Sequence, residues 1–326
     1  MTRTGSILIL VVWTMVLLSL LVVSLGSRGV FALDVVDRLD KQLQGTYIAG
    51  GAAQQMLTRL AADPTPTVDG LGDPWITGPG FADQPFGEGA FSILRPARQG
   101  DAAPTFGTVD AESKLNLNTA PEEVLSALIQ QEGKLREDAA RRVAAAIADW
   151  RDEDKEERQD GAEDFYYLGL SDGYESKDGP FESVEELRLV KGVTPELFAR
   201  VEPYLTVYGS GQVNINTASP VALRAFGLSP EGVKGIVIYR AGEDNTPGTA
   251  DDRPFTAAAA IAQELASWVP AEDASRLSHF VQMNSFTAKS EDAQFTIEAR
   301  AAGAAHPVVV DCVVNRSGAI ELWAER

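Results

Sequence analysis

From Ser6 to Gly26 no residue carries a charge, and Leu, Val and Ile dominate the run. That is about the length an α-helix needs to cross a hydrocarbon core. In lipid a helix satisfies its own backbone hydrogen bonds, which an irregular chain cannot do. A cleaved secretory signal would need a basic leader, a shorter apolar core and a small-x-small site after it. Here the leader Met1–Gly5 carries only Arg3, and Gly5-Ser6 stands before the apolar run. The expectation is a retained membrane helix over residues 6–26.

Beyond it the pattern becomes amphipathic. Val35, Val36, Leu39, Leu43, Tyr47 and Ile48 recur at helical spacing, with Asp34, Asp37, Arg38, Asp40 and Lys41 between them. Met56, Leu57 and Leu60 carry the face on, and Asp63-Pro64 ends it. Gly45, Gly50 and Gly51 argue against an unbroken helix. Residues 63–89, rich in Pro, Gly and Asp, read as loop. Phe91, Ile93 and Arg95 suggest a strand, with Thr105–Asp110 as its partner. At the far end Phe295, Ile297 and Ala299 alternate with polar residues. Val308–Val314 is β-branched, and Ile320, Leu322 and Trp323 follow a turn at Ser317-Gly318. These predict a three-strand antiparallel meander.

The fold expected is α+β: a pilin-like helix on a small antiparallel sheet, with a large helical domain inserted. The divisions are a leader at 1–5, a transmembrane helix at 6–26, and stem and first strands at 27–112. The helical insert occupies 113–287 and the last strands 288–326.

The insert repeats itself. KLNLNTAPEEVLSALI at 114–129 matches QVNINTASPVALRAFG at 212–227. Each copy leads through Asn-Thr-Ala and a proline into an apolar helical face. Asn118 or Thr119 is expected to cap the first helix, with Glu122 completing a capping box, and Asn216-Thr217 the second. Two stretches, 184–201 and 222–240, have a helix-hairpin-helix outline. Gly192 and Gly227 are not followed by the second hairpin glycine that brings backbone amides to a phosphate. A formal net charge of -19 also argues against a polyanionic partner. The hairpins read as packing units.

One cysteine, Cys312, excludes an intramolecular disulfide; it lies in an apolar run and reads as a small buried hydrophobe. His279 and His306 form no metal or nucleophile pattern. The densest chemical signal is DWRDEDKEERQDGAEDFYY, Asp149–Tyr167. Asp152, Asp154, Glu163 and Asp164 offer hard oxygen donors for calcium, and Gly161 suggests a tight turn. The spacing is not that of an EF-hand. The same run also reads as a solvated acidic loop, with Lys155 and Arg158 offsetting part of its charge. Gly242–Asp252 is a weaker candidate of the same kind.

The uncharged helix after Gly5, ESKLNLNTAP, the acidic run, PFESVEELRLVKGVTPELFARVEPYLTVY and VNINTASP, in this order, resemble the K-type minor pseudopilins of type II secretion (the GspK family) over nearly the whole chain. The resemblance implies cleavage by prepilin peptidase between Gly5 and Ser6, with Ser6 as an N-methylated terminus. It also implies calcium at the acidic region, no enzymatic activity, and residence in the inner membrane with the rest in the periplasm. The partners it implies are minor pseudopilins of the I and J types, in a complex at the pseudopilus tip. Ser6 departs from the usual Phe or Met, and Leu10 from the usual Glu. That Glu neutralises a neighbour's terminal amine within the filament, so Leu10 fits a subunit at its end. The alternatives are a ComEA-like membrane-anchored DNA receptor, which would want a basic surface and intact hairpin glycines, and a minor pilin of a type IV pilus.

Overall fold

The computed structural model describes residues 4–96 and 105–326; Met1–Arg3 of the expected leader lie outside them. Helix α1 runs unbroken from Thr4 to Ala61. Its stretch Ile7–Leu25 is long and apolar enough to cross a membrane, and no part of that stretch is covered by the rest of the chain. From Ile48 onward one face of α1 is buried, through Ala49, Ala52, Ala53, Met56, Leu57 and Leu60. Two of the three glycines that argued against a continuous helix, Gly45 and Gly51, explain how it lies so close to the sheet. A Cβ on Gly45 would meet Val308 Cγ2 at 2.6 Å, and one on Gly51 would overlap the Phe86 ring. Close approach here outweighs the intrinsic cost of glycine in a helix.

Strands β1 (Gln84–Phe86), β2 (Gly89–Leu94) and β3 (Val109–Asp110) come next. The insert follows: β4 (Leu115–Asn116), α2 (Glu122–Gln131), α3 (Glu137–Arg151), α4 (Asp164–Tyr167), α5 (Pro195–Val201) and β5 (Leu205–Thr206). Its second half holds β6 (Val213–Asn214), α6 (Pro220–Ala225), α7 (Pro230–Arg240), α8 (Ile261–Glu264), α9 (Ala271–Gln282) and β7 (Phe286–Thr287). The chain then returns through β8 (Asp292–Arg300), β9 (Val308–Asn315) and β10 (Ile320–Glu325). The main sheet has the order β1-β2-β8-β9-β10, all antiparallel, so the last three strands form the expected meander. β3 pairs with β8 beyond the end of β2, Val109 opposite Gln294. Thr105–Gly107 does turn back on β2, through Arg95 N–H to Thr105 O and Gly107 N–H to Ile93 O.

Alternation puts Phe91, Ile93, Phe295, Ile297, Val310 and Cys312 on one buried face against α1. Burial pushes the Cys312 thiol up to about 12, so it packs as a hydrophobe. The insert has its own core, built from both halves and including Leu128, Ile147, Leu223, Ile236 and Leu277.

The repeat is visible in matched bonds. Asn118 Oδ1 accepts from Phe181 N–H while its Nδ2 donates to Phe181 O, and Asn216 does the same with Phe255. Arg151, at the end of α3, donates to Leu117 O and Ala120 O. Arg240, at the end of α7, donates to Ile215 O and Ala218 O. β4 lies parallel to β5, and β6 parallel to β7.

The expected caps are corrected by these contacts. Pro121 keeps an extended ψ of 144°, so α2 starts at Glu122 with no side-chain cap. Thr119 is left outside the helix and donates to Gly211 O. Thr217 donates to Asp110, and Ser219 caps α6 by accepting from Ala222 N–H. The two asparagines of each copy bind loops instead of helix ends. Residues before proline stay extended, which displaces each helix start beyond Asn-Thr-Ala.

Candidate metal centre

The acidic run leaves the C-terminus of α3 and is bent back on that helix by Asp149. Asp149 is fully buried and accepts from the amides of Arg158 and Ala162 and from the Arg158 guanidinium at 2.8 Å. A Cβ at Gly161 would overlap the Asp149 carboxylate. The glycine is therefore needed for space beside Asp149. The positive φ of this turn belongs to Asp160, at 70°. Below, Trp150 meets Tyr167 edge-on at 5.1 Å, and Tyr167 stacks on Tyr174 at 5.4 Å. Lys191 donates to Gly161 O at 2.7 Å and fastens the loop from the other side.

This folding brings Asp152, Asp154 and Glu163 together, with one carboxylate oxygen from each within 4.8 Å of the others. Arg158 reaches Asp152 from the side. Glu163 is 4% exposed, and its Oε2 accepts from Ser176 Oγ. Its Oε1, and Oδ1 of Asp152, are buried without a hydrogen-bond partner among the described residues. Desolvation, then the nearby charges of Asp149, Asp178 and Asp152, push the Glu163 carboxyl up to about 7. Buried carboxylate oxygens normally have partners, and a hard cation would satisfy these two.

Asp164, expected as a fourth donor, is engaged elsewhere. Lys155 donates to its Oδ2 at 2.7 Å, and Ser176 N–H and Oγ to its Oδ1. Lys155 and then Ser176 hold its carboxyl below the usual range. The sequence reading missed Asp149, Ser176 and Asp178. Asp149 looks like one more acid of the run, and its burial was visible only in its helical position beside Trp150.

The loop Gly242–Asp252 turns most of its carboxylate oxygens on itself, with Asp252 Oδ1 left buried without a hydrogen-bond partner among the described residues. Asp251 Oδ2 accepts from Glu243 and Asp244 N–H, Asp244 Oδ1 from Thr246 N–H, and Asp252 Oδ2 from Gly248 N–H. A second trio, Asp63, Asp69 and Asp73, also converges within 4.8 Å, beneath the sheet. Arg316 pairs with Asp63 at 2.7 Å and with Asp69.

Residues 108–210 match the family model described as type II secretion system, protein K. The type II secretion system protein K of Klebsiella pneumoniae is 33% identical over 128 residues, 34% of this chain and 38% of that protein. That of Aeromonas hydrophila is 44% identical over 78 residues, 23% of this chain and 24% of its own length. That of Pseudomonas aeruginosa is 31% identical over 112 residues, 33% of each. The matched stretch thus spans roughly a quarter to two fifths of the length of these relatives. Among solved structures, the GspK-GspI-GspJ complex from the type 2 secretion system of enterotoxigenic Escherichia coli contains a chain of similar fold. The TM-score is 0.65 at 18% identity, covering 89% of this chain and 96% of that one. Residues 108–210 thus resemble type II secretion system protein K in sequence, and nearly all of the chain is similar in fold to a chain of the GspK-GspI-GspJ complex.

Proposed function

We propose that this chain is a minor pseudopilin that sits at the tip of the type II secretion pseudopilus, where it starts or caps the fibre with minor pseudopilins of the I and J types. It does so as a structural subunit without enzymatic activity. The observation that carries this reading is the exposed lower half of α1. Phe31, Leu33, Val36, Leu39, Leu43 and Tyr47 are between 54% and 72% exposed, directly after an apolar span. A soluble monomer rarely shows so much contiguous apolar surface without a partner. From Ile48 the helix is occupied by its own sheet, so the partner face is the segment below it. Leu10 cannot neutralise a neighbour's terminal amine, and an insert of this size crowds a closely stacked shaft. Both favour a single copy at the end.

The same reading makes Ile7–Leu25 the inner-membrane anchor, with the sheet and insert in the periplasm. Prepilin peptidase cuts between Gly5 and Ser6, and Ser6 is methylated. Calcium is held by Asp152, Asp154 and Glu163, and fixes the loop of the insert to α3. The orphaned oxygens of Glu163 and Asp152 support this.

Counting this chain against the major subunit in sheared fibres tests the tip position. A ratio far below one to one is expected, with label at one end; label along the shaft overturns it. Mass spectrometry of the membrane-extracted protein should find methylated Ser6 as the terminus.

A further inference from the structure

The insert and the sheet meet at a joint made mostly of carboxylates. Asp110, Glu112 and Asp292 are 2%, 1% and 4% exposed. Asp110 is the last residue of β3, before the chain enters the insert, and Asp292 opens β8 after the return. Their partners come from both bodies. Asp110 Oδ2 accepts from Asn214 Nδ2, Thr217 Oγ1 and Ser290 Oγ, and its Oδ1 from Glu112 N–H. Glu112 Oε1 accepts from Ser210 N–H at 3.0 Å and from Glu291 N–H at 2.9 Å. Asp292 Oδ2 accepts from Gly209 N–H. The segment 209–214, which links the two halves of the insert, is thus held to the sheet by three buried acids.

The charges around them are mostly of the same sign. Glu321 on β10 and Glu291 beside β8 act on Asp292, and Tyr208 faces it. Of the nearby cations, Lys114 donates to Gln294, Lys289 pairs with Glu291, and Arg316 pairs with Asp63 and Asp69. Several adjacent buried carboxylates cannot all ionise cheaply.

We propose that this joint is a proton-sensitive latch, which holds the insert firmly to the sheet while Asp110 and Asp292 are protonated and loosens the 209–214 segment as these two ionise. The direction of titration agrees. Desolvation, then Glu321 and Glu112, push Asp292 up to about 7, and desolvation with Glu112 pushes Asp110 well above the carboxylate range. A carboxyl raised on folding stabilises fully below its unfolded pKa, and that contribution is lost as pH rises through the folded value. The joint therefore weakens from mildly acidic to mildly alkaline pH.

Hydrogen exchange on the full chain in detergent tests this, read at the amides of Gly209 and Ser210. The amides of Leu117, bonded within the insert, and Ile297, within the sheet, serve as references. After correction for the intrinsic rate, protection at Gly209 and Ser210 should fall about tenfold between pH 5.5 and 8 while the references hold. Asp292→Asn should keep much of the acid-level protection across the range. Glu321→Gln, on the exposed edge strand, should move the wild-type transition to lower pH, and decides the matter if Asp292→Asn does not fold. Protection independent of pH, a parallel fall in the references, or an unchanged transition in Glu321→Gln overturns the latch.

Discussion

Two trios of carboxylates converge among the described residues, and they are closed in opposite ways. Asp63, Asp69 and Asp73 lie under the sheet, where Arg316 reaches in from the turn after β9. Asp69 also accepts from Trp75 Nε1 and Ser290 N–H, and Asp73 from Gly70 N–H. No oxygen of this trio is buried without a partner among the described residues. Asp152, Asp154 and Glu163 have one guanidinium, from Arg158, and it serves Asp149 and Asp152. Glu163 Oε1 and Asp152 Oδ1 are left over. Clustering alone therefore does not mark a cation site. What marks it is the set of oxygens that the protein's own donors fail to reach.

The comparison is broken most severely at Arg316. Arg316→Ala leaves two buried acids without their cation, and such a deletion typically costs about 3–5 kcal/mol. Denaturant unfolding should show the loss, and added calcium should not restore it. A variant within about 1 kcal/mol of wild type would mean that the trio does not depend on its arginine.

The next largest effect is expected at the other trio. Calcium at about a hundredfold its Kd should stabilise the chain by about 2.7 kcal/mol over chelator, since it binds the folded state. Glu163→Gln should remove most of that gain. Without metal, Glu163 contributes stability below the ordinary carboxylate range that is lost as pH rises through about 7. The gain from calcium should accordingly be larger at pH 8 than at pH 5.5. Equal melting temperatures with calcium and chelator at pH 8 would reduce this trio to a solvated loop.

Gly161→Ala separates the frame from the ligands. Its Cβ would overlap Asp149, and such overpacking costs about 1–3 kcal/mol even without metal. Smallest is Asp164→Ala. Its pair with the mostly exposed Lys155 is weak, because solvent screens it. It should leave most of the calcium gain in place, and losing that gain would make Asp164 a ligand after all. Both are read by thermal unfolding with and without calcium.

Much of the architecture was legible in the chain. The period of α1, the alternation in β8 to β10 and the doubled Asn-Thr-Ala motif each express a local rule that burial then reinforces. The glycines of α1 misled because propensity is local, whereas the closeness of Val308 and Phe86 is not. The caps misled because Asn118 and Asn216 have partners, Phe181 and Phe255, dozens of residues away. At the acidic loop the residue types announced the chemistry, and Asp152, Asp154 and Glu163 do meet. That Asp164 turns to Lys155 depends on where Ser176 lies, which spacing along the chain does not encode.

Helix α1 also sets a height. With Ile7–Leu25 in a bilayer, about seventeen residues separate the end of the span from Gln42, whose Nε2 donates to Glu325 Oε1 at the end of β10. At about 1.5 Å per residue the head stands about 25 Å above the lipid on a single mast. Among the described residues nothing braces that mast sideways, so a lone subunit would sweep a wide cone, and neighbouring helices laid along it would bring the head upright.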